Sequence, residues 1–161
     1  MKNLGCAALL AGILGTLAGA APAADSEPPA RASAAPADKL GSARALIAAH
    51  QWPAALTELR RVNEPRSADW NNLMGYSLRH TNPPDYVAAE RHYDEALRID
   101  PRHRGALEYS GELQLMTGNL ARAEERLATL AAICTTPCEE WTDLKQAVDR
   151  FKADGSKPGA R

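Results

Sequence analysis

Cys134 and Cys138 are the residues of this chain best suited to chemistry by type and spacing. They flank Thr135-Thr136-Pro137, a C-x3-C arrangement. In an oxidising compartment so close a pair joins as a disulfide. The loop it closes is short, so the entropic stabilisation is modest, on the order of 2 kcal/mol. A redox-active pair is the alternative, but thioredoxin-type chemistry uses C-x2-C in a βαβ setting, and neither occurs here. A metal site would need partners. His50, His80, His92 and His103 are spread over separate segments, so no ligand set and no cofactor is predicted. Glu124-Glu125 and Glu139-Glu140 are adjacent pairs. Neighbours on a helix do not face each other, so these read as solvated positions. There is no Gly-rich phosphate loop, no G-x-S-x-G elbow and no H-E-x-x-H. The sequence predicts no enzyme.

The elements that place these residues follow from composition and period. The chain has 161 residues, a formal charge of −1 and 5% aromatics against 45% hydrophobic residues. Alanine fills the gap, with 32 residues. Alanine is the strongest helix former and adds little core volume, which predicts closely packed helices. The balanced charge argues against nucleic acid as a partner. Residues 1–24 carry Lys2, an uncharged run from Leu4 to Ala20 and the small residues Ala21-Pro22-Ala23. This is the pattern of a Sec-type secretory leader, cleaved near Ala23 or Ala24. Cleavage would leave a periplasmic or secreted chain with no stable membrane insertion. Residues 25–37 read as a Pro/Ala-rich linker and 154–161 as a polar tail, leaving 38–153 to fold.

Within that region four columns repeat every 34 residues: Trp52, Tyr86 and Leu120; Ala55, Ala89 and Ala123; Leu59, Tyr93 and Leu127; Val62, Ala96 and Leu130. Inside each unit the steps are 3, 4 and 3, one face of an α-helix. Each such helix follows another, over Leu40–Ala49, Ala68–Arg79 and Arg104–Thr117. Glu139–Lys152 sets Trp141, Leu144, Val148 and Phe151 on one stripe, as a capping helix would, because stacked units need a terminal cover.

Trp70, Leu73, Gly75, Tyr76, Tyr86, Ala89, Tyr93, Ala96 and Pro101 in the second unit resemble the tetratricopeptide repeat. The third unit repeats the pattern through Leu107, Gly111, Gly118, Leu120, Ala123, Leu127 and Leu130. The first is degenerate, with His50 where the family prefers glycine. Gly75 stands one place from the family's usual glycine, and Met74 occupies that column. The resemblance implies an all-α solenoid of about three helix–turn–helix units plus the cap. It also implies a non-catalytic scaffold that holds a peptide or partner helix in a groove. By the family register that groove would present Arg44 and Ile47 from the first unit, Asn71, Asn72 and Arg79 from the second, and Glu108, Glu112 and Leu115 from the third. The arginines would take carboxylates and the glutamates basic groups. The family's clamp for acidic C-termini is missing: Gly105 and Tyr109 stand where it would carry basic groups. The partner is another protein or peptide whose identity and stoichiometry the sequence leaves open. A thiol-redox accessory role for Cys134 and Cys138, or self-assembly through a repeat edge, are the alternatives.

Overall fold

The computed structural model describes residues 38–154. The predicted leader, linker and all but the first residue of the tail lie outside them. Seven helices follow one another among the described residues: α1 Gly41–Ala48, α2 Trp52–Val62, α3 Ala68–Arg79, α4 Tyr86–Ile99, α5 Arg104–Met116, α6 Leu120–Ile133 and α7 Glu139–Ala153. None is long and apolar enough to cross a membrane. This is the all-α repeat architecture that the 34-residue period predicts.

Local chemistry sets the ends. Ser67, Asp85 and Asn119 each accept a hydrogen bond from the backbone N–H three residues on, at 3.2, 2.9 and 3.3 Å, satisfying an otherwise orphaned donor of α3, α4 and α6. His103 does the same for α5 through Nδ1, at 3.0 Å from the Ala106 N–H. Its Nε2 is then the protonated nitrogen, donating to Asp69 Oδ1 at 2.9 Å and tying α5 to the start of α3. Pro53 lies in the first turn of α2, where a missing N–H is harmless. The turns between the paired helices of the first and third units use a left-handed residue. Gly118 supplies it with φ 84°, and His50, 68 positions earlier, holds φ 55° in the equivalent place. The degenerate first unit therefore keeps the turn despite lacking the glycine.

Each helix packs on the next in sequence. The odd-numbered helices also touch one another (α1 with α3, α3 with α5, α5 with α7), while α2, α4 and α6 do not. Helices in contact on one side and apart on the other bend the layer toward the touching side. The odd helices therefore line the inner face.

The repeat columns are the core. Ala55, Ala89 and Ala123 are fully buried, as are Leu59, Tyr93, Ala96 and Leu130. Burying each large apolar side chain is worth about 1.5–3 kcal/mol. Gly75 permits a close approach: a Cβ there would lie 2.8 Å from Tyr93 Cε1, so the ring rests on bare α3 backbone. Trp70 Nε1 donates to the Leu59 carbonyl at 2.7 Å, joining the first unit to the second. The second joins the third through Glu90, whose Oε1 accepts from Gln114 Nε2 at 3.0 Å and Arg122 Nη1 at 2.7 Å. Cys134 and Cys138 are at bonding distance, with Cα atoms 5.9 Å apart, and close the turn between α6 and α7.

Candidate functional site

On the inner face, α3, α5 and α7 line a cleft of about 230 Å³. One wall is Asn72, Gly105 and Tyr109. The rest is carboxylate: Glu108 from α5, with Glu139, Glu140 and Asp143 from the start of α7.

Asn72 is 7% exposed, and its Oδ1 has no hydrogen-bond partner among the described residues. It fits because position 105 is glycine: a Cβ there would stand 3.1 Å from Asn72 Nδ2. Glu108 is 8% exposed. Burial first, and then the charges of Glu112, Asp143 and Glu140, push its carboxyl up to about 8, with Arg79 pulling the other way. At pH 7 it therefore holds its proton. Arg104 Nε approaches Glu140 at 3.6 Å on the rim.

Arg79 lies beside the cleft, 8% exposed. Its Nη1 meets Glu112 Oε2 at 2.9 Å and donates to the Tyr109 carbonyl at 3.3 Å. Its guanidinium carbon lies 5.4 Å from the Tyr76 ring centre and 5.6 Å from that of Tyr109. Those two rings are 4.6 Å apart, and Tyr76 continues through His80 (4.4 Å) to Trp52 (4.7 Å further). An aromatic row thus runs from the cleft toward the first unit.

Of the residues that the groove register names, the structure brings Asn72, Arg79, Glu108 and Glu112 together. It places the other expected residues elsewhere. Asn71 is 2% exposed, and its Nδ2 donates to the carbonyls of Pro65 (2.8 Å) and Ser67 (3.0 Å). Its Oδ1 accepts from His92 Nδ1 at 2.9 Å, so the side chain is consumed in holding the α2–α3 loop to α4. Leu115 is buried in the core cluster with Leu107, Leu130 and Leu144 rather than open to a ligand. Arg44 is exposed on α1 and engaged by Asp38 at 2.8 and 2.9 Å and by Asp69 at 3.4 Å. It holds the Asp38 carboxyl below the usual carboxylate range. Ile47, also on α1, is half-buried and does not line the cleft. The role of Arg79 also differs from expectation: its charge is already met by Glu112.

The carboxylates of α7 escape a reading by adjacent pairs. Glu139 and Asp143 are four apart, which puts them on one helix face and is the signal that marks them.

Glu108 also makes stability depend on pH. Its folded pKa lies above the unfolded value, so the unfolded chain releases this proton first as pH rises. Its contribution is present below about pH 4.5 and is lost progressively up to about pH 8. Glu108→Gln should therefore stabilise the fold more at pH 8.5 than at pH 5. The difference should be on the order of 1–2 kcal/mol, below the full linkage value because the cleft opens to water. Urea melts of both chains at the two pH values check it, and equal differences would contradict it.

Among the described residues no three His, Cys, Asp or Glu side chains are placed to hold a metal ion. A family model described as tetratricopeptide repeat matches residues 85–148, from the N-cap of α4 into α7. No curated protein matches the sequence.

Proposed function

We propose, from the premise that this chain is a tetratricopeptide repeat protein through residues 85–148, that it is a non-catalytic scaffold of the bacterial periplasm. Domains of this family mediate protein–protein interaction, and this one binds its partner along the inner face of α1, α3, α5 and α7. The observation that carries the reading is the polar content of that face. Asn72 is buried there with its Oδ1 unpartnered among the described residues, a costly arrangement in the absence of a ligand, and Glu108 beside it is only 8% exposed. The leader-like residues 1–24 and the close pair Cys134 and Cys138 both suit an exported, oxidising setting.

Site-specific photo-cross-linking in intact cells tests it. A photoreactive residue at position 44 or 143, on the inner-face helices, should give a discrete adduct after periplasmic release. The same group in place of exposed Val87 on α4 should not. Adducts from position 87 alone would overturn the binding face, and recovery of the chain in the cytosol would overturn the location.

A further inference from the structure

Resting on that reading, we propose that the cleft between α5 and α7 is a receptor for one organic cation: the guanidinium or ammonium of an Arg or Lys side chain presented by the partner.

The argument is one of uncompensated charge and unmet hydrogen-bonding capacity in one place. Four carboxyl groups line the cleft, and Arg104 reaches only Glu140, at 3.6 Å. Arg79, the other nearby cation, is held on Glu112. Glu139 and Asp143 are left without a cation among the described residues, and Glu108 has none to hold it ionised there. Asn72 adds an independent sign. Its Oδ1 is an acceptor more than nine-tenths buried, on the wall of the same cleft, with no donor. The carboxylates of Glu139 and Asp143, the amide oxygen, and Glu108 once it ionises all accept, so the group that meets them must donate. A guanidinium or ammonium carries several N–H donors and a positive charge, and so meets both deficits. The ring of Tyr109 adds an aromatic wall. Three metal ligands do not converge here, which favours the larger, hydrogen-bonding cation.

Binding should be linked to Glu108. The groups facing it are Glu112 on its own helix, Glu140 and Asp143 on α7, and Arg79 on α3. A cation entering the cleft draws the Glu108 proton into solvent, so affinity rises as pH rises through about 8.

The test is an NMR titration of the chain with N-acetyl-arginine amide, N-acetyl-lysine amide and, as the neutral isostere, N-acetyl-citrulline amide. The backbone amides of Gly105, Glu108 and Asp143 should shift saturably with the first two and not with citrulline. Glu108→Gln combined with Asp143→Asn should weaken binding at least about tenfold and flatten its pH dependence. No saturable shift, citrulline equal to arginine, or an unchanged double variant would each overturn the proposal. So would Ca²⁺ saturating the same amides at lower concentration. Lys157→Ala with Arg161→Ala should leave probe affinity unchanged; a tenfold gain would assign the cleft to the chain's own tail instead. If the probes fail while the cross-links at positions 44 and 143 persist, the cation assignment falls and the interaction reading stands.

Discussion

Arg79→Ala should cost about 3–5 kcal/mol of unfolding free energy. The guanidinium is almost wholly buried, and Glu112 is its one salt-bridge partner among the described residues. Removing it leaves Glu112, whose side chain is 30% exposed, next to Glu108 with no compensating cation. It also removes the donor to the Tyr109 carbonyl and the cation that lies against two tyrosine rings. Breaking one partner of a buried pair is costly because the other charge is stranded, whereas removing both is far cheaper. Arg79→Met with Glu112→Leu should therefore be more stable than Arg79→Ala alone. Arg44→Ala provides the contrast. Its pairs with Asp38 and Asp69 are exposed, and its loss should cost under about 1 kcal/mol. Urea unfolding of the variants decides the matter. A cost for Arg79→Ala within 1 kcal/mol of that for Arg44→Ala would show that the pair is not the strut described. The same reasoning disqualifies Arg79→Ala as a probe of partner binding, since it would loosen the fold before it altered recognition.

The second large effect lies at the cap. Leu144 is fully buried, and a Cβ at Gly111 would lie 2.6 Å from its Cδ2. The leucine therefore occupies the space that the glycine leaves on α5, and this contact seats α7 on the last repeat. Leu144→Ala should cost about 2–5 kcal/mol through lost burial and the cavity left behind. Gly111→Ala should cost about 1–3 kcal/mol by overpacking, because both methyls of the fully buried Leu144 would have to shift. The two changes are complementary in volume, so the double variant should be more stable than the sum predicts, by about 0.5–3 kcal/mol. A double-mutant cycle by chemical denaturation measures this coupling, and strict additivity would refute the contact as drawn. The consequence reaches the site. Glu139, Glu140 and Asp143 sit on α7, so Leu144→Ala should also weaken cation binding although Leu144 does not line the cleft.

Much of the architecture is legible in the residues alone. The 34-residue columns mark α2, α4 and α6, and the predicted span Ala68–Arg79 matches α3 at both ends. Arg104–Thr117 ends one residue late, because Thr117 serves as the C-cap of α5. A helix is legible because its signals are local: periodic apolar residues, a capping side chain, a proline in the first turn. The cysteine pair is legible for the same reason, four residues apart in one turn.

The site is only partly legible, and Asn71 and Asn72 show why. They are neighbours of one type on one helix. The helical turn separates them by about 100°, so one meets His92 of α4 and the other meets the cleft. Which is which depends on how α3 is rolled against α4, and sequence spacing within α3 does not encode that angle. Leu115 is packed in the core and Arg79 is held on Glu112 for a related reason, since register names the helix face but not the side chain already waiting across it. Glu139 is exposed, as its own helix suggests, and Glu140 is half-buried, yet both line the cleft once α7 lies on α5. Sequence by itself thus determined the helices, their repeat and the cap, all set by short-range periodicity. Tertiary packing alone decided which polar groups are buried without partners, because desolvation is set by neighbours distant in the chain.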